Sequence, residues 1–260
     1  MQLSRDELLA RFYDLEYRDY SDDLDFYVQH ALALDPDRLL PVLDLGCGTG
    51  RVCIALAEAG FGVVGVDSSE GMLAVCERRA RSHGVAKMVA LVCSDMRGLP
   101  AMSQAPFNLA LCALNTFAYL ETTQDQMAML RAVHPLLVQH GILILDLTPP
   151  FPHLMPPSEG ELLHQGSFVD EETGAIVHKL VSGVAEHSTQ RHRITLFYDR
   201  EAEDGALSRL TQQMTLRWTG RYEMEMLLQQ AGYRVEKVYG GYELEEFGEG
   251  SERMIFVVRT

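Results

Sequence analysis

The segment LPVLDLGCGTGRVCIALAEAG, residues 40–60, constrains this chain most, because three glycines at alternate positions directly follow a short apolar run. Glycine at the turn from a strand into a helix lets a ligand approach the main chain closely. A dinucleotide-binding turn has the spacing G-x-G-x-x-G, which leaves room for a pyrophosphate at the helix N-terminus. Here Gly46, Gly48 and Gly50 make the last interval one residue shorter. The spacing therefore predicts a ligand without a diphosphate and argues against NAD.

Short apolar runs alternate with amphipathic segments through the first half of the chain. Five runs are predicted as strands, at residues 42–46, 62–67, 88–95, 107–114 and 142–147. The helical segments between them end at Gly60, at Gly84 or near Pro135, which are residues that stop helices. Strands this uniformly apolar are typical of a parallel sheet that helices cover on both faces. We therefore predict a doubly wound, Rossmann-like α/β domain, which resumes with a helix and two strands over residues 219–260.

Two segments depart from this alternation of predicted strands and helices. Residues 1–40 predict two helices, the first with a capping box of Ser4 and Glu7 and the second capped by Ser21. Residues 148–218 open with a proline-rich turn and continue with alternating apolar residues, which predict an antiparallel sheet inserted after the fifth strand. The predicted units are a helical cap at 1–40, an α/β domain at 41–147 and 219–260, and a β insertion at 148–218.

The amino-acid composition limits the classes of molecule that the chain is expected to bind. Apolar residues make up 47% of the 260, and 22 basic against 37 acidic residues give a net charge of −15. Such a chain repels phosphate backbones, so broad nucleic-acid binding is not expected. The five cysteines include no C-x-x-C pair, which predicts free thiols in a reducing compartment and no metal site. The charged N-terminus and the lack of a long apolar run predict a cytoplasmic protein with no membrane segment.

The segment VLDLGCGTG resembles motif I of the class I S-adenosylmethionine-dependent methyltransferases, whose pattern is E/D-x-G-x-G-x-G. The resemblance covers residues 40–147 and 219–260, and it implies a seven-stranded sheet and S-adenosylmethionine as cofactor. It places Asp44, within the loop, near the cationic methionine end, and the glycine N–H groups near the carboxylate. The cofactor residues that it implies in this segment are Asp44, Gly46, Cys47, Gly48 and Gly50.

Later residues fit the same family pattern. Asp67 ends the second predicted strand, 21 positions after Gly46, where an acid accepts hydrogen bonds from ribose hydroxyls; it could also cap the following helix. In the family, an acid at the position of Asp95 receives the adenine amino group and the next N–H reaches the ring, although Asp95 could be a plain loop residue. For Met72 two interpretations stay open: it packs on the adenine face, or it is a core methionine of the helix. The further cofactor residues implied are Ser68, Met72, Met96 and Leu114.

The remaining segments determine the methyl acceptor. The stretch FYDLEYRDY near the N-terminus resembles the cap of small-molecule methyltransferases, including amino-sugar and glycine N-methyltransferases, in which a tyrosine often closes over the cofactor. We expect Tyr13 to face the cofactor, and Tyr20, Asn115 and Tyr119 to face the acceptor. The resemblance implies methyl transfer to nitrogen or oxygen of a small molecule, with a homodimer contact through the inserted sheet as one possibility. A non-catalytic S-adenosylmethionine- or S-adenosylhomocysteine-binding module and an RNA or protein methyltransferase remain alternatives.

Overall fold

A computed structural model describes residues 3–102, 105–151, 160–202 and 205–260. The strands of its main sheet are β1 (Val42–Leu45), β2 (Val63–Asp67), β3 (Val89–Cys93), β4 (Phe107–Cys112), β5 (Leu137–Leu147), β10 (Arg234–Tyr239) and β11 (Met254–Arg259). These seven strands lie in the order β10-β11-β5-β4-β1-β2-β3. Strands β1 to β5 run parallel, and β11 pairs antiparallel with both β5 and β10. The prediction of a doubly wound, mostly parallel seven-stranded sheet is confirmed.

Helices cover both faces of this sheet because alternate strand residues point to opposite sides. One face packs on α5 and α6, where Leu43 and Leu45 meet Met129 and Leu228. The other face packs on α2, α3 and α4 around Phe26. The helices are α1 (Arg5–Tyr17), α2 (Leu24–Leu34), α3 (Arg51–Glu58), α4 (Glu70–Ser82), α5 (Thr123–Val133) and α6 (Arg221–Gln230). Within the described ranges, no helix is both long and apolar enough to cross a membrane.

The two predicted N-terminal caps, one for α1 and one for α2, have different outcomes. Ser4 accepts a hydrogen bond from Glu7 N, and the Glu7 side chain accepts from Ser4 N, so the predicted capping box of α1 is confirmed. The prediction that Ser21 caps α2 is wrong, since α2 begins after Asp23, whose side chain instead pairs with Arg51. The side chain of the N-cap residue Asp23 thus forms a buried ion pair and makes no cap hydrogen bond.

The inserted segment forms a separate four-stranded antiparallel sheet in sequential order. Its strands are β6 (Leu163–Val169), β7 (Ile176–Glu186), β8 (Arg191–Glu201) and β9 (Leu207–Arg217). This confirms the predicted antiparallel sheet after the fifth strand. Most of the proline-rich turn predicted at its start lies outside the described residues.

Helix α1 joins the two sheets. Phe12 packs with Val181 and Leu196 on the inner face of the inserted sheet. On its other side, Asp6 accepts hydrogen bonds from Ser69 Oγ at 2.9 Å and from Gly71 N at 2.6 Å, both at the start of α4. The first helix therefore closes the space between the glycine loop and the inserted sheet, whereas α2 packs on the main sheet.

Candidate active site

The glycine loop between β1 and α3 presents alternate residues to opposite sides. Gly46 and Gly48 are half-buried, with φ angles of 68° and 54° that favour glycine. The Gly48 N–H donates to Asp67 Oδ2 at 2.9 Å, and the Ser69 N–H donates to Asp67 Oδ1 at 2.9 Å. Burial raises the pKa of Asp67, whose carboxylate stands at the end of β2. The loop and this carboxylate are therefore held together as one surface.

This surface borders a cavity of about 560 Å³, which we call the loop cavity. The cavity extends from the glycine loop past the ends of β2 and β3 to the 3-10 helix Thr116–Tyr119. Nine residues predicted for the site line it: Tyr13, Gly46, Gly48, Asp67, Ser68, Met72, Asp95, Met96 and Tyr119. The fold thus brings together residues that lie more than 100 positions apart in the chain.

At the far end of the loop cavity, Asp95 belongs to an ion-pair network. Arg97 Nε lies 3.0 Å from both Asp95 carboxylate oxygens, and Arg97 Nη1 donates to Asp125 Oδ1 at 3.0 Å. Hydrogen bonds from Arg97 lower the pKa of Asp95. Asp95 is exposed and paired with Arg97, as a loop residue can be, and it also lines the loop cavity. Both of the alternatives that the sequence left open for Asp95 therefore describe it.

Three residues of motif I do not line the loop cavity, so the structure does not bring them together with the other predicted cofactor residues. Gly50 packs on the core, since a Cβ added there would lie 2.2 Å from Cys76 Sγ. The Cys47 side chain is buried in the core behind the loop. Asp44 lies inside β1 rather than in the loop, where its Oδ2 accepts from Cys53 Sγ at 3.2 Å. Burial raises the pKa of Asp44 to about 7.

A second cavity of about 520 Å³, the sheet cavity, lies between α1, the 3-10 helix and the inner face of the inserted sheet. Its walls include apolar side chains of β8 and β9, among them Ile194, Leu196 and Met214. Leu114 and Asn115, both with positive φ, line it at the end of β4. Asn115 Oδ1 accepts from Thr148 N at 3.1 Å, so this amide also ties the ends of β4 and β5 together.

The two cavities share part of their walls. Five residues line both of them: Tyr13, Met72, Thr116, Tyr119 and Gln212. Tyr13 stacks on Tyr17, with ring centroids 4.6 Å apart, and its Cε1 would lie 3.7 Å from a Cβ added at Gly48. Tyr119 Oη lies 3.5 Å from Met214 Sδ, and Tyr119 is 51% exposed. A molecule in one cavity and a molecule in the other would meet between these tyrosines.

Tyr20, which the sequence predicts to face the acceptor, packs on Arg51 in the structure. Its ring faces the guanidinium of Arg51, 5.0 Å from Cζ to the ring centroid, and its carbonyl oxygen accepts from Arg51 Nη1 at 3.1 Å. Arg51 also pairs with the buried Asp23. Tyr20 lines neither of the two cavities defined above. Tyr20 therefore packs on α3, beside the Arg51–Asp23 ion pair.

The sequence did not single out several polar residues of the sheet cavity. Lys179 Nζ lies 2.7 Å from both carboxylate oxygens of Glu16, so an ion pair joins β7 to α1 inside the wall. Arg253, from the loop before β11, donates from Nε to Asp146 Oδ1 at 2.7 Å. His192 of β8 and Gln212 of β9 also line this cavity. For Lys179, His192 and Gln212, only the alternation of β7, β8 and β9 could have indicated that they face inward.

Comparison with known proteins bears on what this arrangement is. A family model described as a methyltransferase domain matches residues 42–141. The cypemycin N-terminal methyltransferase of a Streptomyces species is 30% identical over 220 residues, which cover 84% of this chain and 82% of that protein.

Two solved structures share the fold of nearly the whole chain. An S-adenosylmethionine-dependent methyltransferase from Clostridium acetobutylicum has a TM-score of 0.78 at 19% identity, over 97% of both chains. An S-adenosylmethionine-bound amino pentose methyltransferase from Micromonospora echinaspora has a TM-score of 0.72 at 20% identity, over 100% of this chain and 98% of that one. The likeness therefore includes the inserted sheet and the N-terminal helices as well as the α/β domain.

Proposed function

Because this chain belongs to the class I S-adenosylmethionine-dependent methyltransferase family, we propose that it methylates an amino group of a small molecule held in the sheet cavity. S-adenosylmethionine is the methyl donor. The observation that carries the proposal is the wall shared by the two cavities, at Tyr13, Thr116 and Tyr119. A donor in the loop cavity and an acceptor in the sheet cavity would approach each other there, which is the alignment that a displacement at carbon needs.

The loop cavity fits the donor in shape and charge. Asp67 would accept from the ribose hydroxyls, and Asp95 with the Met96 N–H would receive the adenine. The half-buried Gly46 and Gly48 would face the methionine end, with Tyr13 over them. Four carboxylates and two guanidinium groups line the cavity, which favours a cationic ligand: Asp67, Asp95, Glu121 and Asp125, with Arg97 and Arg191. When bound, S-adenosylmethionine supplies a methyl group on a positively charged sulfur.

The protein's own part is alignment and exclusion of water. Tyr13 and Tyr119 would close the two sides of the transfer point, where the Tyr119 hydroxyl would serve as a hydrogen-bond donor. Positive charge leaves the sulfur during transfer, so an enclosed and weakly polar passage favours the reaction. The walls of Leu196, Ile194 and Met214 provide such a surface.

A small amine fits the acceptor side best. The sheet cavity is enclosed by α1 and the inserted sheet, and the chain carries a net charge of −15, which disfavours nucleic acid. The 30% identical relative is named as an N-terminal methyltransferase, and the structure from Micromonospora is named as an amino pentose methyltransferase. The first name refers to a chain's N-terminus and the second to an amino sugar, so an amino group is common to both, which supports an amine acceptor here.

A panel of acceptors tests this function. The purified protein would be incubated with S-adenosylmethionine and one of four compounds: an aminodeoxypentose methyl glycoside, the corresponding pentose methyl glycoside, glycine or trialanine. Mass spectrometry would detect a methylated product, and excess S-adenosylhomocysteine would serve as the inhibition control. We expect methylation of an amine and not of the matched hydroxyl compound. Methylation of the hydroxyl glycoside alone, or of none of the four, would contradict the proposed acceptor class.

A further inference from the structure

His192 is a buried imidazole in the wall of the sheet cavity. It lies on β8, lines the sheet cavity and is 4% exposed. Neither ring nitrogen has a hydrogen-bond partner among the residues that the structure describes. Leaving a buried polar group unpaired costs free energy, so such a group in a cavity wall points to a ligand.

The neighbours of His192 offer it packing but no polar partner. Across the sheet it pairs with Ala185 on β7 and with Leu216 on β9. The Trp218 ring stands at 87° to the imidazole, with centroids 4.4 Å apart. These contacts hold the ring in one orientation in the wall of the cavity, where both of its nitrogens are buried. Trp218 and the neighbouring strands thus position the imidazole of His192 for a molecule that enters the cavity.

His192 lies close to the passage between the two cavities. Tyr119 Oη contacts Met214, and Met214 pairs across the sheet with Ile194. His192 is two residues before Ile194 on the same face of β8, about 7 Å along the strand. His192 therefore lines the same face of the sheet cavity as the Ile194–Met214 pair, which Tyr119 contacts from the shared wall.

We propose that His192 accepts a hydrogen bond from the acceptor's N–H and takes up its proton during methyl transfer. This inference rests on the function proposed above. The nitrogen lone pair forms the new bond to the methyl carbon, and the carbon–sulfur bond breaks with its electron pair left on sulfur. The amine proton passes to a ring nitrogen of His192, which becomes an imidazolium. The proton then leaves to water when the product departs.

The charges around His192 suit a proton acceptor. Burial, and then the nearby His187, lower the pKa of His192, so the imidazole is neutral at neutral pH. Ala185, Leu216 and Trp218, which pack on it from other elements, carry no charge. The charged groups that share its cavity are paired with others: Glu16 with Lys179, and Arg253 with Asp146.

Two variants test the role. His192→Gln keeps a polar side chain but cannot take up a proton, and His164→Gln makes the same change at an exposed histidine of β6. With the panel amine that the wild type methylates fastest, we expect His192→Gln to lower kcat by about 100-fold, the lower range for general base catalysis. The acidic limb of the pH profile should disappear, while affinity for S-adenosylhomocysteine stays within twofold. His164→Gln should behave as the wild type.

A readout that needs no turnover separates this inference from the proposed function. Protein labelled with ¹⁵N-histidine and saturated with S-adenosylhomocysteine would be titrated with the aminodeoxypentose methyl glycoside. We expect a saturable shift of the His192 ring nitrogens. If no panel compound is methylated, the proposed function fails and this titration alone decides the role of His192. An unmoved His192 signal, or a His192→Gln variant with wild-type kcat and pH profile, would overturn the inference.

Discussion

Asp67 joins the end of β2 to the glycine loop, because its Oδ2 accepts a hydrogen bond from the Gly48 N–H at 2.9 Å. Its Oδ1 accepts from the Ser69 N–H, the N-cap residue of α4. One carboxylate thus sets the shape of the loop and of the next turn, while it also lines the loop cavity. A role in binding and a role in structure coincide at this residue.

Replacing Asp67 should weaken cofactor binding more than replacing Asp95. We expect Asp67→Ala to lower S-adenosylhomocysteine affinity by about 1–3 kcal/mol, the scale for losing hydrogen bonds to an ionised group. Asp95→Ala should have a smaller effect, because Asp95 is exposed and its carboxylate is held by Arg97. Isothermal titration calorimetry of both variants measures the difference. Equal losses, or a larger loss for Asp95→Ala, would contradict the proposed placement of the ribose.

An alanine at Gly46 should be more harmful than an alanine at Gly48. Both positions have positive φ, which costs an L-residue about 1–2 kcal/mol. A Cβ at Gly46 would in addition lie 2.2 Å from Thr116 Cγ2, whereas a Cβ at Gly48 meets Tyr13 at 3.7 Å. Urea unfolding should show the larger loss for Gly46→Ala. Thr116→Ser removes Cγ2, so the double variant should regain part of the stability, and no rescue would argue against this clash.

The hydroxyl of Tyr119 should matter for turnover and that of Tyr20 should not. Tyr119 stands in the wall shared by the two cavities, and Tyr20 packs on Arg51. Tyr119→Phe removes one hydrogen-bonding group at the transfer point, so we expect kcat to fall about threefold to tenfold. Tyr20→Phe should stay within twofold of the wild type. Steady-state kinetics on the panel amine compares them, and the reverse order would restore Tyr20 as a site residue.

Asp44 should make folding stability depend on pH. Burial raises its pKa from 3.8 to about 7, so the folded state binds the proton more tightly than the unfolded state. Its favourable contribution is complete below about pH 4 and is lost as the pH rises towards 7, by an amount on the order of 4 kcal/mol.

The matched variants Asp44→Asn and Asp37→Asn check this, since Asp37 is exposed. Urea unfolding would be measured for each variant and for the wild type at pH 5 and at pH 7.5. Relative to Asp44→Asn, the wild type should be less stable at pH 7.5 than at pH 5. Asp37→Asn should follow the wild type at both values, and a pH-independent difference for Asp44→Asn would refute the raised pKa.

The order of strands and helices could be predicted because its signals are local. Uniformly apolar runs specify buried strands, and helical spacing with Ser4, Gly60 or Pro135 at the ends specifies where helices begin and stop. The turn after β1 needs positive φ at Gly46 and Gly48 whatever surrounds it. These requirements act over a few residues, so the fold and the donor side of the site were accessible from the sequence.

The direction in which each side chain points depends on contacts between distant segments. Gly50 belongs to the packing on Cys76, and Tyr20 to the Arg51–Asp23 pair, although their local patterns resemble those of site residues. His192 faces the cavity only because the register of β8 with β7 and β9 assigns it to the inner face. A shift of one residue would turn it outward, and local propensity does not fix that register.

The sequence by itself thus determined the α/β scaffold, the glycine loop and the strand-end carboxylate Asp67, since backbone geometry and hydrophobic periodicity are properties of short segments. The tertiary structure alone decided that Asp6 of α1 binds the start of α4 and that Lys179 meets Glu16 across 163 positions of the chain. It also decided that Tyr119 and His192 border one cavity. These choices follow from packing the inserted sheet against α1, where burial of Phe12 with Val181 and Leu196 selects one arrangement of two surfaces that no local pattern encodes.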